Sequence, residues 1–155
     1  MTSSNMYLAD GWGALDGLLL FCPNQDPLPI SGEILASACE ARWPGRVIVS
    51  PPREKRTEVS IDVAPSDNYS FLISLFEGRQ LISADAMPEQ NVELAAWLRS
   101  LMPEDAPRVV VSNGGFDLHA DLPYGVTPEQ VASTMVDHCV DGWQEADPDF
   151  RQWLK

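Results

Sequence analysis

The stretch from Arg46 to Asp85 constrains the fold more than any other part of the sequence. "RVIVSP" is apolar and β-branched, "TEVSIDVA" places Val59, Ile61 and Val63 on one face, and "YSFLISLF" is apolar on both. Side chains alternate along a strand, so the second segment reads as a half-buried strand and the third as a central one. Glu77-Gly78-Arg79-Gln80 then makes a tight connection into "LISAD". Four strands in succession leave no room for crossover helices, so they pair antiparallel as a meander.

Helices flank that meander. Over "SGEILASACEAR", Ile34, Leu35, Ala38 and Cys39 recur at helical spacing, Ser31 can cap the start, and Pro44-Gly45 ends it. "PEQNVELAAWLRSLM" opens on Pro88 and stops at Pro103, with Leu94, Leu98 and Leu101 facing inward and Trp97 on the flank. Upstream, "GLLLFC" is a short buried strand and "PNQDPLP" a loop. "RVVVS" turns through Asn113-Gly114 into "FDLHADL". Thr127-Pro128-Glu129-Gln130 then starts a helix predicted from Pro128 to about Ala146, burying Val131, Met135, Cys139 and Trp143. The predicted order is β-α-ββββ-α-ββ-α, an α+β fold with helices packed on one face of an antiparallel sheet. The 155 residues form one domain: an N-terminal strand and Pro-rich loop over 1–30, an α+β core over 31–146, and a tail over 147–155.

Charge limits the partners. A net charge of −13 repels phosphate backbones and anionic membranes, so neither nucleic acid nor a membrane is expected to bind. The same field attracts a basic protein, although acidity also serves solubility alone. Half of the ten basic residues fall between Arg42 and Arg56, where "PPREKR" makes a basic loop. Cys22, Cys39 and Cys139 are odd in number and include no CxxC, which fits reduced thiols in a cytoplasmic protein. The first residues carry no basic n-region, and Leu18–Phe21 is too short for a signal peptide or membrane span.

The candidate chemistry centres on "SNGGFDLHADLPYGVTPEQ". Asp117, His119 and Asp121 share one face of a strand, where they could bind a divalent metal or make a general base. They span about 13 Å, too far for one ion to bridge all three. Phe116, Leu118, Ala120 and Leu122 pointing inward would equally leave these polar groups on a wet face, and that reading needs no further ligand. His138 beside Cys139 raises a thiolate–base pair, but adjacent helical residues point about 100° apart. Asp147 and Asp149 flank Pro148 in a terminal turn, and "ADGWGALDG" lacks phosphate-loop spacing. No cofactor is expected. Trp12 is a candidate aromatic anchor, as are Phe150 and Trp153 in the tail. Asp137, Asp141 and Glu145, at i, i+4 and i+8, would form an acidic stripe on the last helix.

The segment "GFDLHADLPYGVTPEQVASTMVDHCVDGWQEAD", with its strand, "LP-x-G-x-TPE" turn and amphipathic helix, resembles the type III secretion chaperone-like superfamily, including the YbjN-like proteins. From Ile34 onward the remainder matches in element order, while the segment to Pro29 departs from the pattern. The resemblance implies a small acidic protein without enzymatic activity that binds other proteins, often as a dimer. In general character the chain is also similar to the immunity proteins of bacterial toxin systems. The expectation is therefore a non-enzymatic binding protein, monomer or homodimer, that occludes a basic toxin through Trp12, Asp137, Asp141, Glu145 and Trp153. The alternatives are a secretion chaperone and a small enzyme or metal-binding protein using Asp117, His119 and Asp121, with His138 as a further candidate ligand.

Overall fold

A computed structural model describes residues 6–51 and 56–153, with side chains as far as Phe150. Its strands are β1 (Leu18–Phe21), β2 (Val47–Ser50), β3 (Thr57–Ser66), β4 (Tyr69–Phe76), β5 (Ile82–Ala84), β6 (Val110–Ser112), β7 (Leu118–Asp121) and β8 (Val136–Asp137). They form one antiparallel sheet in the order β2-β3-β4-β5-β1-β6-β7-β8. The meander is therefore β2 to β5, as the alternation requires, and Gly78 with φ +74° closes its last turn. The N-terminal strand β1 lies inside the sheet between β5 and β6, consistent with "LLLF" being apolar on both sides.

Helices α1 (Gly32–Arg42), α2 (Pro88–Ser100) and α3 (Pro128–Ser133) help enclose the main core, which includes Val59, Ile61, Val63, Ile73, Leu94, Leu98 and Leu118. Ser31 caps α1 by accepting from the Ile34 amide. Thr127 and Gln130 form a reciprocal capping box on α3. Ile34, expected inside, is 53% exposed; Leu35 and Cys39 carry that helix's contact with the core.

The structure corrects the predicted last helix. Helix α3 stops at Ser133; β8 follows, then a turn, then the short helices α4 (Trp143–Ala146) and α5 (Pro148–Trp153). From Ser133 to Gly142 only Met135 is a strong helix former, so propensity offers little against the gain from pairing β8 with β7. Val131, Met135 and Trp143 are buried as expected, but Cys139 is exposed. Helices do not keep to one face either. A second apolar cluster of Phe21, Val110, Trp143 and Phe150 lies on the opposite side of the sheet, covered by α4 and α5. Among the described residues, no helix is long and apolar enough to cross a membrane.

Candidate functional site

His119 stands on the sheet face turned away from the main core. The transverse row through it takes one residue from each strand: Ser50, Ser60, Ser74, Ser83, Leu19, Ser112, His119 and Val136. The C-terminal segment fills the space above this end of the row. Phe150 stacks on His119 with ring centroids 4.1 Å apart, and Trp143 lies nearly parallel on His138 at 3.7 Å. His119 is only 2% exposed, so the wet-face reading of Asp117, His119 and Asp121 fails at its central residue. Sequence alternation assigns a residue to a face; it cannot show that α4 and α5 return to cover that face.

The two histidines form a directed chain. His138 Nδ1 lies 2.9 Å from the Phe116 carbonyl oxygen, which accepts only, so this nitrogen carries hydrogen. In a neutral ring its Nε2 is then an acceptor, and His119 Nδ1, 2.8 Å away, donates to it. That leaves His119 Nε2 with a lone pair, 3.2 Å from Asp147 Oδ2. Burial lowers the His119 pKa to about 4, helped by His138 and opposed by the carboxylates of Asp147 and Asp121. Burial lowers His138 as well. Both rings are thus neutral at pH 7, and two acceptors face each other.

Arg108 organises the carboxylates. Its Nη1 and Nη2 donate to the two oxygens of Asp147 at 2.6 Å each, its Nε to Asp121 at 2.7 Å, and its Nη1 also to Asp149 at 3.2 Å. Burial pushes the Asp147 carboxyl up, but hydrogen bonds and charge from Arg108 outweigh this and hold it below the usual value. Arg108 itself is raised, chiefly by its hydrogen bonds to Asp147. One guanidinium against three carboxylates leaves the cluster with a surplus of two negative charges. Beside it opens a cleft of about 210 Å³, whose lining includes Tyr7, His119, Asp121, Val136, Trp143 and Asp147.

No protein-family model, curated protein or solved structure matches the chain.

The expected residues are dispersed. Asp117 precedes β7, is exposed, and exchanges hydrogen bonds with Asn113. Asp121 is exposed and bound to Arg108. Asp121 shares the cleft lining with His119 whereas Asp117 does not, and among the described residues no group of three His, Cys, Asp or Glu is placed to hold a metal ion. Cys139 points away to solvent, so it makes no pair with His138. Asp137 lies on β8 and accepts from the Cys139 amide, Asp141 is in the following turn, and Glu145 is on α4. They share a region but not one helical stripe. Trp12 is half-buried and packs against the main core. The side chain of Trp153, like most of the "PPREKR" loop, lies outside the described residues. Arg108 and the direct hydrogen bond between His119 and His138 escaped the sequence reading, which offered His138 only as a further candidate ligand. The one available signal was that Arg108 is the last basic residue before a run of 42 residues, 109–150, without Lys or Arg.

Proposed function

We propose that the chain is a non-enzymatic module that binds a basic protein through the β7–β8 end of its sheet. One observation carries this reading. Residues 109–150 hold eight carboxylates and no Lys or Arg, whereas five bases cluster along the sequence over 42–56; the strand order puts β2, with the described Arg42 and Arg46 beside it, and the β7–β8 pair at opposite ends of the sheet. Eight strands span on the order of 30 Å, so the molecule carries a lengthwise charge asymmetry. Such a field orients an approaching basic partner toward the acidic end and raises the encounter rate. Asp137, Asp141 and Glu145 supply the steering there. Tyr7, about half exposed and bridged to Val136, and the half-buried Trp12 supply apolar contact.

The most concrete form is an immunity protein in a bacterial cytoplasm, blocking a basic toxin enzyme by steric occlusion. A second form, the secretion chaperone of the type III-like superfamily, draws support from the β2–β4 part of the sheet face turned away from the main core, where Ile48 is 68% exposed and Leu72 is also exposed. The first experiment is a tagged pull-down from the native source with mass spectrometry, followed by association kinetics on the partner. For the basic-partner reading, the on-rate falls at least about tenfold between low and high salt. The triple change Asp137→Asn, Asp141→Asn, Glu145→Gln removes most of that slope. A salt-independent on-rate would remove the electrostatic reading.

A further inference from the structure

We propose that the cleft between β8 and α4 is a receptor for one primary alkylammonium group, with a lysine side chain of the basic partner as its source. The lysine source rests on the protein-binding reading above; the ammonium chemistry rests on the cleft alone. The decisive feature is the bare nitrogen. The Phe116 carbonyl fixes the tautomer of His138, His138 fixes that of His119, and His119 Nε2 is left as an acceptor on a side chain 98% buried. Asp147 Oδ2, another acceptor, lies 3.2 Å from this nitrogen. An acceptor that faces another acceptor at the cleft wall is poorly satisfied, and a donor arriving from the cleft relieves it.

The chemistry of the lining selects the donor. His119 Nε2, Asp147 and Asp121 offer acceptors, and an ammonium group has three donors and no acceptor. The Arg108 cluster retains two uncompensated negative charges, so a single cation improves its balance. Met6, Val136 and Trp143 provide apolar walls for a butyl stem, and about 210 Å³ holds one such chain but excludes a folded loop. Both histidines are neutral at pH 7 because of burial, which keeps the acceptor available. The charged groups facing the pair are Asp147, Asp121 and Arg108 around His119, and Asp117 and Asp137 around His138, all but one of them anionic.

The test is an imidazole nitrogen NMR titration of the intact chain at pH 7 with n-butylammonium chloride. The neutral isostere n-pentanol and a blocked Gly-Lys-Gly peptide are run in parallel. The expected result is a saturable shift of His119 Nε2 with n-butylammonium and none with pentanol. Asp121→Asn, a change at an exposed carboxylate, weakens the affinity roughly fivefold. Tighter binding of the peptide than of the free amine identifies a protein lysine as the source, and the reverse order identifies a small amine. Should His119 Nε2 already carry a proton at pH 7, or respond equally to pentanol, the receptor reading is overturned. The two proposals fail separately. A partner that binds without competition from n-butylammonium removes the cleft as its docking point and leaves the docking reading intact. Ammonium binding without any basic partner does the opposite.

Discussion

Arg108 shows how much one residue contributes here. It sits in the loop before β6, yet it holds Asp121 from β7 and both Asp147 and Asp149 from the C-terminal segment. Its bidentate grip on Asp147 is partly buried, with side chains 28% and 14% exposed, so water replaces it poorly. Arg108→Met is expected to cost about 2–3 kcal/mol in urea denaturation, because three carboxylates lose their cation. Lysine restores only part of the loss, since a point charge cannot span both oxygens of Asp147. Arg46, paired with an almost fully exposed Asp67, is the comparison: Arg46→Ala should change stability by less than about 0.5 kcal/mol. Nothing in the sequence around either arginine shows which carboxylates it will meet; their surroundings in the fold separate them.

Among the elements, the N-terminal loop and the last forty residues depend on each other. Leu8 donates its amide to the Met135 carbonyl, and Tyr7 bridges to Val136, so the loop closes over the junction of α3 and β8. Gly11 permits that approach, because a Cβ there would lie 2.1 Å from the Ala132 carbonyl oxygen. Gly13, two residues on, has nothing within 4 Å. Gly11→Ala should therefore destabilise by about 3 kcal/mol and expose Trp12 fluorescence to quencher, while Gly13→Ala stays near neutral. Equal effects of the two changes would show that the loop does not pack this tightly. The meander, α1 and α2 were legible because period and propensity agree there with the tertiary structure. The region after Ser133 was not. Val131, Met135, Cys139 and Trp143 mimic a helical stripe, but the intervening Thr134, Val136, Val140 and Gly142 are weak helix formers, and the unpaired edge of β7 claims Val136 and Asp137 as a strand.

At the scale of the whole molecule, the buried histidines tie stability to pH. His119 titrates near 4 in the folded chain against 6.5 for an unperturbed histidine. Between these values the unfolded chain binds the extra proton, so stability rises with pH across that window and is fully present above it. As pH falls through 4 the contribution is lost, and the depressed Asp147 adds its own loss at more acidic pH. The net charge of −13 also relaxes on acidification, so the useful quantity is the difference between wild type and His119→Gln. The melting temperature of the wild type should drop more steeply than that of the variant between pH 6.5 and 4. Parallel profiles would mean that His119 takes up its proton as readily in the folded protein as in the unfolded chain. Charge asymmetry belongs to this scale too: clustering of bases near Arg42–Arg56 and of acids after Val109 is visible in the chain, but their separation follows from strand order.

The sequence by itself determined the elements whose causes are local. Alternation set the strands of the meander, Ser31 and Thr127 set two helix starts, and the run without bases after Arg108 set an acidic region. Only the tertiary structure decided that β1 joins the middle of the sheet, that α4 and α5 cover the face opposite the main core, and that His119 meets His138 and Asp147. Each of these joins residues distant along the chain. Local propensity acts over a few residues, whereas which surface returns to cover which is settled by the apolar area and paired hydrogen bonds gained when the whole chain closes.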